Sequence, residues 1–214
     1  VFYDQGSMLK EAGERASELV EGEERAGDEE VLSLDRLKQA LLGTVRAVAH
    51  MAEMRDPYTA GHQARVADLA CAIARELGLD ADRVEGLHLG AMIHDIGKIS
   101  IPAEILNRPG KLSAPEYEII KTHSQMGYEI IKDIDFPWPV ATMVLQHHER
   151  LDGSGYPQGL KGDAICLEAR ILAVADIVDA MSTHRPYRPA LGIEAALAGV
   201  EAGRGQALDA DVVD

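Results

Sequence analysis

The chain has 214 residues, of which 46% are hydrophobic and only 4% aromatic, and its formal net charge is −15. This length accommodates one domain of ordinary size with an appendage. The acidic balance argues against a protein that binds nucleic acid polymers, because such a protein needs a basic face to neutralise phosphates. The acidic net charge is still compatible with a small anionic ligand that binds in a local positive pocket.

The cysteines and the hydropathy of the sequence indicate the compartment in which the protein is expected. Cys71 and Cys166 both lie in apolar helical contexts, so we expect buried free thiols in a reducing environment, which favours a cytoplasmic location. No apolar run approaches the roughly 20 residues of a membrane span. The sequence does not begin with Met, so we interpret it as a fragment of a longer protein.

The first 35 residues differ from the rest in charge. They contain eleven acidic and three basic side chains, and apolar residues are sparse. Such a composition is typical of a solvated segment. We therefore predict an acidic helical connector over residues 1–35, leading from a missing upstream region into one domain over residues 36–214. We expect the C-terminal end of that domain to be truncated.

The domain itself shows helical spacing from Leu37 onward. A helix predicted over 59–77 ends at Gly78, and Asp80 can cap the next one, which runs to "HDIGK". The motif "SAPE" predicts a capping box at Ser113. Further helices follow "PWPV" and span 167–182, separated by the Gly- and Pro-rich stretch "LDGSGYPQGLKGDA". The apolar residues are mostly Ala, Leu, Val and Ile, which also favours helices.

Several of the eight histidines fall where an amphipathic helix would face its core. A lone inward histidine is more often a satisfied core residue than a metal ligand. Five such histidines with two aspartates inside apolar helices are hard to explain in that way, since a buried carboxylate needs a partner or a metal. Imidazole and carboxylate together suit Fe, Mn or Zn. We interpret His50, His88 and His184 as surface or packing residues.

Four motifs carry a resemblance to a known family. "DPYTAGHQARVADLA", "HDIGK", "HHERLDGSGYP" and "ADIVDAMSTHRPYRPA" occur in the order and spacing of the HD-GYP domain, over residues 45–214. The resemblance implies an all-α, HD-type helical bundle of about six to eight helices. It also implies a bacterial signalling enzyme, a metal-dependent phosphodiesterase that hydrolyses cyclic di-GMP to pGpG, with further conversion to GMP less expected.

The same resemblance implies a binuclear metal centre. One ion would be held by His62, His94, Asp95 and Asp176, and the second by Asp95, His123, His147 and His148. Some family members hold a third ion through a glutamate at the position of Tyr58, so we expect two ions here. Iron or manganese is the leading expectation, with zinc, nickel and cobalt as alternatives.

Catalytic and substrate-binding residues follow from the same alignment of motifs. Lys98 is expected to stabilise charge on the phosphate, Asp95 to bridge the ions, and Asp56 to position or protonate a leaving oxygen. The expected substrate contacts are Gly153, Gly155, Tyr156, Arg185 and Arg188.

Two other function classes stay open on the sequence alone. One is a catalytically weak module that binds cyclic di-GMP and reports it to a protein partner through the loop that contains Gly155, Tyr156 and Pro157, here called the GYP loop. The other is an HD phosphohydrolase acting on mononucleotides, which would leave His123, His147 and His148 without a metal role. The apolar stripe at Leu34, Leu37, Leu41, Val45 and Val48 suits either a homodimer or packing within the chain.

Overall fold

The computed structural model describes residues 32, 36, 37, 39–56, 61–108, 110–183 and 190–214. The chain divides into two compact units, Val1–Thr44 and Val45–Asp214. Every described residue of the first unit is helical. The predicted connector over residues 1–35 lies almost entirely outside the described residues, and its boundary stays a prediction.

The described chain is all-α, as predicted, and its helices are numbered here in chain order. The first, α1, is helical over residues 39–55. The others are α2 (His62–Glu76), α3 (Ala81–Ile93), α4 (Ala103–Leu106), α5 (Ala114–Ile131), α6 (Val140–Gln146), α7 (Leu167–Ser182), α8 (Ile193–Gly203) and α9 (Ala210–Val213). Since α4 and α9 are single turns, seven longer helices remain among the described residues, within the six to eight predicted.

Local sequence signals explain where several helices begin and end. Gly78 follows α2 with a φ of 76°, a left-handed conformation that favours glycine. The Asp80 carboxylate accepts a hydrogen bond from the Arg83 amide at 2.8 Å and caps α3. At α5 the Glu116 carboxylate accepts from both the amide and the hydroxyl of Ser113. The predicted capping box is confirmed.

The hydrophobic core lies between α2, α3 and α7. Val66, Leu87, Ile171 and Leu172 are completely buried there. Helix α5 packs on a 3₁₀-helix, Ile96–Ser100, which directly follows α3. At this crossing a Cβ on Gly97 would lie 1.9 Å from the His123 carbonyl oxygen, so only glycine allows the approach. The crossing brings the "HDIGK" segment against α5.

The apolar stripe of α1 is largely exposed within the described chain. Leu37, Leu41 and Val48 are 69%, 56% and 39% exposed. Ala49 and Ala52 are the residues of this helix that are buried. Val45 is partly buried, and the described residues leave most of the stripe exposed.

Two further expectations concern cysteines and membranes. Both cysteines are free, with Cys71 buried and Cys166 only partly so. None of the helices that the structure describes combines the length and apolarity required to cross a membrane.

Candidate metal centre and adjoining cavity

The seven predicted ligands come from five parts of the chain and meet at one place. His62 begins α2, His94 and Asp95 follow α3, His123 lies within α5, His147 and His148 follow α6, and Asp176 lies within α7. Three groups have donor atoms all within 4.8 Å of one another: His62 with His94 and Asp176, His94 with Asp95 and His147, and His123 with His147 and His148. Side chains that could bind a divalent metal therefore cluster here.

Three of these histidines share one hydrogen-bond pattern. His94, His123 and His147 each place Nδ1 at 2.6–2.7 Å from the carbonyl oxygen three residues earlier. Because a carbonyl only accepts, Nδ1 carries the proton and Nε2 presents its lone pair to the centre of the cluster. This is the arrangement by which proteins orient histidine ligands of metals.

The inward-facing Nε2 nitrogens lie close to one another, and each is an electron-pair donor that could bind a metal. The Nε2 of His94 is buried without a hydrogen-bond partner within the described part of the chain. The Nε2 atoms of His123 and His147 are 3.2 Å apart. A buried lone pair without a donor is costly, and a cation between such nitrogens removes that cost. The residues present fit a divalent metal ion.

His62 is oriented by carboxylates instead of a carbonyl. Its Nδ1 lies 2.6 Å from Asp179 Oδ2, and its Nε2 lies 3.3 Å from Asp176 Oδ1. Burial lowers the pKa of His62, but the hydrogen bonds to Asp176 and Asp179 outweigh it and raise that pKa to about 9. Arg65 Nε lies 2.6 Å from the other oxygen of Asp179. The Asp179 carboxylate is thus fixed from two sides.

Asp95 lies at the middle of the cluster beside Lys98. Lys98 Nζ is 2.6 Å from Asp95 Oδ2, and His123 Nε2 is 3.4 Å from Asp95 Oδ1. Burial raises the pKa of Asp95, but Lys98 and the surrounding histidines hold that pKa well below its usual range. Burial likewise lowers the pKa of Lys98, and Asp95 and Asp56 reverse this and raise it. Both groups are charged.

Asp56 joins this pair from the end of α1. Its Oδ2 lies 3.4 Å from Lys98 Nζ, and the residue is buried. The structure therefore brings the three predicted catalytic residues together, with Asp95 among the histidines and Lys98 and Asp56 beside it.

The GYP loop covers the other side of the cluster. The Tyr156 ring lies over His148, with centroids 4.7 Å apart and planes inclined by 32°. Burial raises the pKa of Tyr156 above its ordinary value, so the phenol is neutral. Gly153 has a φ of 83°, and a Cβ on Gly155 would lie 2.4 Å from the Arg150 amide nitrogen. The two glycines permit a tight loop that brings Tyr156 against the histidines.

Sequence reasoning missed two residues that support the site. Glu149 is buried, and its two carboxylate oxygens accept hydrogen bonds from the amides of Gln158 (2.7 Å) and Leu160 (2.9 Å), which anchors the loop. No local pattern pointed to that role. Asp179 holds His62, and its position one helical turn after Asp176 was a signal that could have identified it.

A cavity of about 470 Å³ opens beside the cluster, in the size range of ligand pockets. Its lining begins at Asp56 and Lys98 and continues along the segment after the 3₁₀-helix to the start of α5. The remaining lining residues are Ile105, Leu106, Arg108, Gly110, Lys111, Leu112, Tyr117 and Ile120.

Five residues singled out in the sequence lie outside the described residues. They are Leu34, Tyr58, His184, Arg185 and Arg188. Of the other two histidines interpreted as surface or packing residues, His50 is exposed and His88 is partly buried.

Comparison with known proteins places these features among relatives. The family model described as HD domain matches residues 46–212. The cyclic di-GMP phosphodiesterase response regulator RpfG of Xanthomonas campestris is 41% identical over 184 residues, covering 85% of this chain and 49% of that protein. The 3'3'-cGAMP-specific phosphodiesterase 3 of Vibrio cholerae is 43% identical over 166 residues, covering 77% of this chain and 36% of that protein.

A solved structure shares the fold. The HDG"Y"P protein Bd1817 from Bdellovibrio bacteriovorus matches with a TM-score of 0.60 at 24% identity, over 71% of this chain and 49% of that one. The chain spans about half the length of the first of these curated relatives and about a third of the second.

Proposed function

The chain belongs to the HD domain family, in its HD-GYP group, and from this premise we propose that it hydrolyses a phosphodiester bond of a cyclic dinucleotide. The substrate is cyclic di-GMP, and the product is the linear dinucleotide pGpG. One observation carries the proposal. Five buried and two partly buried imidazole and carboxylate side chains converge on a His94 nitrogen that lacks a hydrogen-bond partner in the described structure, with Lys98 beside them.

The proposed cofactor is a pair of divalent transition-metal ions, iron or manganese. His62, His94, Asp95 and Asp176 would hold one ion, and Asp95, His123, His147 and His148 the other. Nitrogen and carboxylate donors of this kind suit such ions. When bound, the ions would supply Lewis-acid activation of water and neutralisation of phosphate charge.

The chain's own residues complete the chemistry. The Lys98 ammonium is within 4 Å of two carboxylates and lines the cavity, so it can contact a non-bridging phosphate oxygen as charge develops there. Asp56, which contacts Lys98, is placed to position the departing ribose oxygen. The Tyr156 ring packs over His148, which would limit the access of water to that imidazole.

A second substrate in the same class is 3'3'-cGAMP. The specific observation in its favour is the 43% identity to the Vibrio cholerae enzyme named for that substrate. It differs from cyclic di-GMP in one base, so the two share phosphates and ring size.

The remaining proposals concern partners and location. The exposed apolar side chains of Val48 and Met51 on α1 suit pairing with a second copy, and the GYP loop offers a surface to a protein partner. We propose that the enzyme acts in the cytoplasm, because cyclic dinucleotides act there as second messengers.

The test is turnover of both cyclic dinucleotides by the purified chain, with bound metal quantified in the same sample. We expect pGpG from cyclic di-GMP, at a rate that tracks about two ions per chain when Mn²⁺ or Fe²⁺ is supplied. A metal-loaded protein that binds cyclic di-GMP and leaves it intact would instead support a binding module. Survival of activity in His148→Ala would favour the mononucleotide phosphohydrolase.

A further inference from the structure

We propose that the cavity beside Lys98 is a nucleotide subsite. It would receive the nucleotide of the substrate whose phosphodiester bond is not being cleaved, with Lys111 and Arg108 contacting its phosphate and Tyr117 its base. This inference rests on the proposed function, since it concerns the second half of a cyclic dinucleotide.

The charge of the cavity lining is the first observation. In a chain of net charge −15, the lining has three cations, Lys98, Arg108 and Lys111, against the single carboxylate of Asp56. Lys98 is paired with Asp95 and Asp56, and Arg108 with Glu116. Lys111 forms no ion pair with any residue that the structure describes, so its charge is available to a ligand. A local positive surface of this kind attracts a phosphate that the molecule as a whole would repel.

The aromatic lining is the second observation. Tyr117 is 49% exposed at the cavity, although its ring offers a large apolar face. Lys121 Nζ lies 5.7 Å from the Tyr117 ring centroid and 5.6 Å from that of Tyr156. One ammonium therefore links the cavity wall to the loop that covers the histidines. An exposed ring beside cationic groups is the pairing that binds a nucleotide base and its phosphate.

Connection to the reaction centre is the third observation. Lys98 lines the cavity and also contacts Asp95 in the middle of the cluster at 2.6 Å. A ligand with one phosphate at Lys98 would continue directly into the cavity. A cyclic dinucleotide carries its second phosphate in the same closed ring, so that phosphate must meet a surface near the first. The cavity offers Lys111 and Arg108 for it.

The test separates KM from kcat for cyclic di-GMP in the metal-loaded chain. We expect Lys111→Ala and Tyr117→Ala each to raise KM roughly tenfold with kcat changed less than about twofold, because each removes a contact made equally in the ground state and transition state. Tyr117→Phe keeps the ring and should restore KM to within about twofold. For bis(p-nitrophenyl) phosphate, which lacks a second nucleotide, the increase in KM should be at least about fivefold smaller.

Lys132→Ala is the matched control, because it removes the same charge from an exposed position at the end of α5, away from the cavity lining. Its KM should equal that of the unmodified chain. If the KM values of Lys111→Ala and Tyr117→Ala also equal that of the unmodified chain, the proposed subsite is wrong, but the proposed phosphodiesterase activity is not contradicted. If the unmodified chain neither binds nor cleaves either cyclic dinucleotide, the subsite and the proposed function are both wrong.

Discussion

Asp179 orients His62 while belonging to none of the three groups of side chains that could hold a metal ion. Its carboxylate accepts from the imidazole at 2.6 Å and from Arg65 at 2.6 Å, so both the tautomer and the plane of the His62 ring are set by it. A carboxylate behind a ligand histidine also increases the basicity of the ring.

We predict that Asp179→Asn weakens metal binding by about 10- to 100-fold, since the neutral amide is a poorer acceptor for Nδ1. Competition with a coloured chelator measures this without reference to activity. Asp68→Asn, an exposed position on the same helix as His62, is the control and should leave metal affinity unchanged. Equal metal affinity in Asp179→Asn and the unmodified chain would contradict the positioning role.

Lys98 is predicted to contribute to the rate of the chemical step. Replacing it with Ala removes a cation 2.6 Å from Asp95 and should lower kcat about 100-fold, since it is placed to stabilise charge that develops in the transition state. Steady-state kinetics at saturating cyclic di-GMP measures the loss, and metal content is determined on the same preparation. A variant with full metal content and unchanged kcat would show that Lys98 only balances the charge of Asp95.

At the scale of elements, the site depends on two close approaches of backbone. Gly97 allows the 3₁₀-helix to cross α5, and Glu149 ties the GYP loop to the end of α6 through two backbone amides. Both contacts act on residues distant in sequence, so neither could be derived from the local pattern.

We predict that Gly97→Ala destabilises the fold by about 3 kcal/mol, because its Cβ would meet the His123 backbone and force the crossing apart. Metal affinity should fall with it, as Asp95 and His123 separate. Urea unfolding and metal titration measure the two effects. Gly43→Ala is the control, because a Cβ there meets nothing within 4 Å and alanine favours a helix. Unchanged stability in Gly97→Ala would refute this crossing.

Glu149→Gln retains one good acceptor for two amides. We expect a loss of about 1–2 kcal/mol in stability and faster hydrogen exchange at the Gln158 and Leu160 amides. Glu76→Gln, on the exposed side of α2, should change neither. Normal protection of both amides in the Glu149 variant would mean that the loop is held by other contacts.

Features set by neighbouring residues could be predicted from the sequence, whereas features set by contacts between distant segments could not. Helix boundaries at Gly78, Asp80 and Ser113 were predictable, since caps act within four residues. The family motifs identified seven side chains that the structure places together, although their roles as ligands remain predictions. The exposed stripe of α1 was not predictable, because apolar periodicity shows that a face can be buried without showing what buries it. Asp179 and Glu149 were missed because their partners lie in other elements.

At the scale of the whole molecule, the cluster joins segments from α2 to α7, so metal binding should stabilise the entire domain. With Mn²⁺ at about 100 times its dissociation constant, one site would contribute about 2.7 kcal/mol, which corresponds to a rise of about 5–10 °C in Tm. Thermal unfolding of EDTA-treated and Mn²⁺-loaded protein measures it. Ca²⁺, which prefers oxygen ligands, should have little effect. Equal melting with and without Mn²⁺ would contradict a metal centre at this place.

The hydrogen bonds that orient His94 and His147 affect how alanine substitutions at these two positions are interpreted. Each residue directly follows the last residue of its helix, α3 or α6, and its Nδ1 donates to a carbonyl of that final turn. The imidazole is thus also the C-terminal cap of its helix. Alanine at either position would fray a helix end besides removing a donor atom, so inactivity of such a variant has two causes. His148 lies one residue beyond the cap of α6, so a substitution there leaves the helix end intact, and its effects come from the lost donor atom and the lost contact with the Tyr156 ring.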